Sequence, residues 1–86
     1  MAEYGVIFAR SARRELEVLD AAIARRVISR IEGLTQNPRP SGSRKLHGEQ
    51  NLWRIRIGDY RVVYNVDERQ RIVDILRIRH RREVYR

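Results

Sequence analysis

The sequence predicts a single α+β domain over residues 1–86, ordered β-α-α-β-β-β, with two N-terminal helices packed on a small, mainly antiparallel sheet. Apolar residues recur at helical spacing between Ser11 and Gln36, and the period changes to two from Leu52 onward. The later runs are rich in Val, Ile, Tyr and Trp and are broken by short turn sequences. At 86 residues the chain is one domain, near the small end of what folds alone, so a stabilising partner is expected.

Tyr4, Val6 and Phe8 alternate with smaller residues, as in a short strand with one buried face. Ser11 is the expected N-cap of a first helix carrying Ala12, Leu16 and Leu19, and Asp20 the N-cap of a second. In that second helix Ile23, Ala24, Val27, Ile28, Ile31 and Leu34 form an apolar stripe, while Arg25, Arg26, Arg30 and Glu32 point away; Asn37-Pro38 ends it. Residues 38–51 read as a connecting loop with a short strand near Arg44 to Leu46. Three strands follow, at Leu52 to Ile57, Tyr60 to Val66 and Ile72 to Arg79, and Gly58-Asp59 has the composition of a two-residue hairpin turn.

The net charge of +8 is unevenly placed. Residues 1–38 carry six arginines against five acids, for +1; residues 39–86 carry thirteen Lys/Arg against six acids, for +7. Arg77 to Arg86 alone hold five arginines against Glu83. Of the nineteen basic residues only Lys45 is lysine, and arginine is the side chain whose planar fork grips phosphate with two hydrogen bonds. Such a distribution points to an anion, above all an RNA backbone. The absence of cysteine excludes disulfides and thiolate metal sites, no acidic cluster of the kind that binds magnesium stands out, and no cofactor is indicated. No signal-peptide-like or membrane-length apolar run is present, so a soluble cytoplasmic protein is expected.

If Gly58-Asp59 is the whole loop, Ile57 opposes Tyr60, Arg56 opposes Arg61, Ile55 opposes Val62 and Trp53 opposes Tyr64. The apolar members then share the helix-covered face, and Arg54, Arg56 and Arg61 the other. Like charges directly opposite cost on the order of 0.2–1 kcal/mol, a cost that makes sense if an anion sits between them; the alternative is that both guanidiniums fan into water, where screening makes the repulsion trivial. The last strand adds Arg77 and Arg79, but the turn before it leaves its register open by one residue. His80, Arg81 and Tyr85 follow. A histidine among arginines is disfavoured in its charged form and so can accept a proton near neutral pH. This set suits cleavage of RNA by its own 2′-hydroxyl, which needs a base, positive charge on the phosphorane and an acid for the leaving oxygen, none of them a metal. His47, in the loop, reads as solvated.

Three runs, Lys45-Leu46-His47-Gly48, Leu52 to Tyr64 (LWRIRIGDYRVVY) and His80-Arg81-Arg82-Glu83-Val84-Tyr85, together resemble the RelE toxins of bacterial toxin–antitoxin pairs. The resemblance spans essentially the whole chain and implies a RelE-like fold and a metal-independent mRNA interferase. Such an enzyme enters the ribosomal A site, cuts the codon there to leave a 2′,3′-cyclic phosphate, and is held inactive by a cognate antitoxin, RelB-like or of another type II family, in a hetero-oligomer. It implies that Arg54 and Arg56 form the basic pair of the second strand, Arg61 stabilises the phosphate, Arg81 acts as general acid or charge stabiliser, and Tyr85 stacks on or orients the substrate. Arg44, Lys45, Arg77, Arg79 and Arg82 would then contact mRNA or 16S rRNA. Some relatives carry lysine where this chain has Arg54 and Arg56. Arginine cannot readily act as a base, so His80 takes the proton, or catalysis is electrostatic and geometric with water or a ribosomal group completing it.

Two other readings are open to the sequence: a ParE-like inhibitor of DNA gyrase acting by protein contact, and a non-catalytic RNA-binding or ribosome-associated module. The His80-Arg81 and Tyr85 ending weighs against the first. The second would tolerate loss of His80 or Tyr85.

Overall fold

The computed structural model describes residues 3–46, 48 and 51–81. Within them the chain runs β1 (Gly5–Phe8), α1 (Arg10–Glu17), α2 (Ala21–Gly33), β2 (Arg44–Lys45), β3 (Leu52–Ile57), β4 (Tyr60–Asp67) and β5 (Ile72–His80). The strands form one sheet in the order β1-β5-β4-β3-β2. β2, β3, β4 and β5 pair antiparallel, whereas β1 lies parallel to β5 at the edge, with Phe8 opposite Ile75.

The helix boundaries follow from local chemistry, with one correction. Asp20 caps α2 as expected, its carboxylate accepting from the Ala22 N–H at 3.1 Å. Ser11 does not cap α1: the helix begins one residue earlier, at Arg10, with Ala9 in the cap position. The Ser11 hydroxyl instead donates to the Leu76 carbonyl of β5 at 3.1 Å, beyond the point where β1 stops pairing. At the far end of α2 the Thr35 hydroxyl donates to the Glu32 carbonyl at 2.7 Å, adding to the 3.1 Å bond from the Thr35 N–H to the same oxygen.

One face of the sheet carries the core. Ala12 of α1 and Val27 and Ile31 of α2, with Leu34, pack on Ile55, Ile57, Val62, Tyr64, Val66, Val73, Ile75 and Ile78. Each of the valine, leucine and isoleucine side chains among them contributes roughly 1.5–3 kcal/mol on full burial. Two expected core members lie outside it: Ile28, at the margin of the α2 stripe, is exposed, and so is Phe8, because β1 is an edge strand. Tyr4 and Val6 do lean on the core.

Two polar ties hold the segments that carry no regular structure. The Glu68 carboxylate accepts from the Tyr4 hydroxyl and the Arg39 guanidinium, joining the β4–β5 turn to both the N-terminus and the loop before β2. The Tyr4 hydrogen bond first, and Arg39 second, hold the Glu68 carboxyl below its ordinary range. This tie is complete above that range and loosens as pH falls through the lowered value. The buried Tyr64 hydroxyl donates to the Pro38 carbonyl at 2.6 Å, anchoring the same loop, and burial raises the phenol to about 12.

Tyr64→Phe should lower unfolding free energy by about 1–3 kcal/mol at pH 7, the cost of leaving a buried carbonyl without its donor. The raised phenol makes the wild-type contribution complete below pH 10 and lost as pH rises from 10 towards 12. Denaturant midpoints of both proteins at pH 7 and pH 11 check this: the gap should narrow at the higher pH, and a constant gap refutes the assignment.

Candidate functional site

The candidate site is built on the face of the sheet opposite the core. Gly58, at φ +61°, opens the two-residue turn and fixes the register of β3 on β4: Ile57 faces Tyr60, Arg56 faces Arg61, Ile55 faces Val62 and Trp53 faces Tyr64, as the sequence predicts. Left open by the sequence, the register of β5 is settled by a bulge. Tyr64 pairs with Ile75 but Val63 pairs with Arg77, so Leu76 is an extra residue in β5. Beyond the bulge Arg61 pairs with Arg79, and Val62 with buried Ile78. Arg77 and Arg79 therefore both join the face that carries Arg54, Arg56 and Arg61.

The result is a row of arginines across three strands, Arg56, Arg61 and Arg79, with Arg54 and Arg77 flanking Val63 in the next row and Arg44 beside Arg54. Arg61, in the middle, is 4% exposed although α1 and α2 pack on the other face of the sheet. Beside it opens a pocket of about 300 Å³ lined by Arg56, Gly58, Asp59, Arg61 and Arg81. Arg81 reaches it because its backbone N–H donates to the Asp59 carbonyl at 2.7 Å, tying the end of β5 to the hairpin turn. Its Nε stands 3.9 Å from the Asp59 carboxylate. Three arginines thus line one recess, and their planar forks are suited to hydrogen-bonding an anion there. Asp59, which the sequence marks as a turn residue, is a wall of this pocket.

His80 does not stand with these arginines. Its strand partner is Tyr60, on the helix-covered face, and the two rings meet edge to face with centroids 5.2 Å apart. It lines a separate cavity of about 320 Å³ with Glu15, Val18, Leu19, Tyr60 and Ile78. The physical reason is the bulge, which shifts the alternation of β5 by one. Arg77 is not presented freely either: it forms a forked pair with Glu15 of α1, with Nη2 at 2.8 Å and Nε at 3.2 Å from the same oxygen, and Arg79 Nε lies 3.7 Å from that oxygen. Lys45 pairs with Trp53 in β2 and is exposed. Tyr85, Arg82 and His47 lie outside the described residues.

A second and larger groove, about 560 Å³, runs between α2 and the end of β3 and includes Arg25, Arg26, Ser29, Arg30, Arg56 and Ile57. Arg30 Nη1 donates to the Arg56 carbonyl at 3.4 Å, and the Arg26 guanidinium lies 3.5 Å from where a side-chain carbon on Gly58 would sit. The arginines read from the sequence as simply pointing away from the α2 core stripe therefore wall a cleft beside the smaller pocket, and Arg56 borders both.

The family described as "ParE toxin of type II toxin-antitoxin system, parDE" matches residues 6–85. Toxin RelG of Mycobacterium tuberculosis is 33% identical over 84 residues, covering 96% of this chain and 97% of that protein. The chain belongs to the RelE/ParE superfamily of type II toxins. Toxin RelE of the same organism is 34% identical over 84 residues, covering 96% of this chain and 87% of the relative. In three dimensions the toxin resembles the archaeal RelE–RelB complex from Pyrococcus horikoshii, with a TM-score of 0.81, 31% identity and coverage of 91% of this chain and 94% of that one. Isolated E. coli RelE superposes with a TM-score of 0.82 at 24% identity over 95% of this chain and 90% of that one, a likeness of fold. The two helices on a five-stranded sheet are thus the RelE arrangement. On that scaffold the toxin places Arg54, Arg56 and Arg61 on one face with Arg81 at its rim.

Sulfate should raise the thermal midpoint of the toxin by occupying the pocket, since a ligand that binds only the folded state stabilises it. The shift should be cut at least by half in Arg61→Ala and Arg81→Ala. Equal shifts in all three proteins would locate the anion elsewhere.

Proposed function

We propose that this toxin is a ribosome-dependent mRNA endonuclease that cuts the codon in the A site, without a metal, by attack of the 2′-oxygen on the adjacent phosphorus. The P–O5′ bond breaks and a 2′,3′-cyclic phosphate remains. The placement of Arg56, Arg61 and Arg81 around one pocket on the sheet face supports this reading. Charge on the non-bridging oxygens grows as the phosphorane forms, and preorganised cations in a recessed site stabilise that charge most. Arg61, the most buried of them, holds the phosphorane oxygens; Arg81 stabilises charge on the departing 5′-oxygen; Arg54 and Arg56 orient the backbone; Tyr85 stacks on or orients a base. Arg44, Lys45, Arg79 and Arg82 face mRNA or 16S rRNA. We assign Arg77 chiefly to its pair with Glu15.

The proton is the distinctive feature. Guanidiniums neither accept it from the 2′-hydroxyl nor readily give one to the leaving oxygen. With His80 packed on Tyr60 across the sheet, the proton passes to water or to a ribosomal group, and the leaving oxygen is protonated from the same sources. The protein's share is then electrostatics and in-line geometry, which explains a need for the ribosome to align the 2′-oxygen.

A RelB-like antitoxin is the proposed partner, in a hetero-oligomer, because the similar solved toxins from Pyrococcus horikoshii and Mycobacterium tuberculosis are in complex with such antitoxins. The site of action would be the cytoplasm, where the ribosomes are, and among the described residues no helix is long and apolar enough to cross a membrane. A second reading, inhibition of DNA gyrase by protein contact, is favoured by the ParE description of the matching family.

Mapping of mRNA 5′ ends on translating ribosomes after brief induction tests both. Cuts phased to the A-site codon are expected in the wild type, reduced on the order of 10²–10³-fold in Arg61→Ala, the loss typical of removing one donor to a developing oxyanion. They should persist in His80→Ala. Loss of cutting in a folded His80→Ala protein would return the base role to His80, and growth arrest with intact mRNA and altered supercoiling would point to gyrase.

A further inference from the structure

We infer that Glu15 is a positioning residue for the arginine face, holding the register that sets Arg79 beside Arg61; its functional consequence rests on the nuclease reading above. Pairing between β1 and β5 ends at Phe8 and Ile75, and the Ala9 N–H still donates to the Ile75 carbonyl at 2.8 Å. From there α1 replaces a strand along the outer edge of β5. Ser11 takes the Leu76 carbonyl, and Glu15 Oε1 accepts from the Ile78 N–H at 2.7 Å. The other oxygen, Oε2, receives Arg77 Nη2 at 2.8 Å and stands 3.7 Å from Arg79 Nε. One carboxylate therefore engages three consecutive residues of β5, and its side chain is 23% exposed.

Those three residues follow directly after the bulge at Leu76. In an unbulged continuation of the Tyr64–Ile75 register, Arg61 would face Ile78, and Tyr60 would face Arg79. Arg77 and Arg79 would then turn under the helices, and Ile78 and His80 would turn out onto the arginine face, because a one-residue slip exchanges the faces of a strand. The alternative register breaks every Glu15 contact at once. It also buries two arginines, so apolar packing of Ile78 favours the bulge independently. The Glu15 clasp adds what packing alone does not: it orients the guanidiniums of Arg77 and Arg79 along the sheet and offsets part of the repulsion that the row Arg56, Arg61 and Arg79 generates. Glu15 does not border the anion pocket and acts through Arg79, so its effect belongs to the alignment of charge rather than to binding of the ribosome.

Wild type, Glu15→Gln and Glu15→Ala are compared by cleavage on programmed ribosomes, thermal melting and NMR of the free toxin. In Glu15→Gln, which keeps an acceptor for the Ile78 N–H, kcat should fall about tenfold with KM within about twofold and an unchanged melting midpoint. In Glu15→Ala the Ile78 amide should exchange at least tenfold faster, and the cross-strand contact between Arg61 and Arg79 backbone protons should weaken. Wild-type kcat in Glu15→Gln together with an intact Arg61–Arg79 contact in Glu15→Ala would overturn the proposal, as would a rise in KM alone. If the wild type itself cuts no mRNA, the nuclease reading fails. The NMR comparison then still decides the register claim, with an unaltered contact and exchange rate refuting it.

Discussion

A row of like charges across three neighbouring strands is something a sheet resists, and the architecture of this toxin is arranged around keeping that row in register. Arg56, Arg61 and Arg79 stand opposite one another in successive strands, where like charges destabilise pairing. Two features outside the row hold it. The Gly58 turn fixes β3 against β4, and the bulge at Leu76 fixes the end of β5 against β4. The apolar layer beneath, from Ile55, Val62 and Ile78, supplies the free energy that makes the crowding tolerable. The scaffold thus holds in place a row that local pairing rules disfavour.

The turn at Gly58 and Asp59 does more than close a hairpin. It borders the arginine-lined pocket on one side and the α2 groove on the other, and Arg56 belongs to both. The Asp59 carbonyl also receives the Arg81 N–H. A short, sterically constrained turn therefore sets the mutual placement of Arg56, Arg61 and Arg81, which come from β3, β4 and the segment after β5. Rigid elements position charge better than a loop would, because each guanidinium's stem is held by a strand or by a backbone hydrogen bond.

The parts of this arrangement that depend on local chemistry are legible in the sequence. Gly58-Asp59 between two alternating runs dictates the Arg56–Arg61 pairing, and Asp20 before an apolar stripe marks the start of α2; the structure has both. What depends on long-range competition is not legible. Ser11 has the chemistry of a cap, but an unpaired carbonyl at Leu76 takes its hydroxyl. His80 lies among arginines in sequence, yet a single extra residue in β5 sends it to Tyr60 on the opposite face. Phe8 alternates like a buried residue but sits on an edge strand whose parallel partner comes from the other end of the chain. Glu15 has no motif around it. Its only sequence signal is an acid in a helix that precedes strongly basic strands.

Placing His80 across the sheet changes the character of the proposed chemistry. A site whose cations are all arginine would lower the barrier to attack only in proportion to the charge that develops. It cannot by itself remove the proton that makes the 2′-oxygen a competent nucleophile. In the proposed reaction, binding and activation would be separated between two molecules: the toxin would bring charge and shape, and the ribosome the aligned RNA and the acceptor. Such a division would make the free protein a weak nuclease however tightly it holds RNA. It also places the burden of control on access, because a pocket of permanent cations is neutralised only by covering it, by filling it with another anion, or by disturbing the register that Gly58 and Leu76 impose.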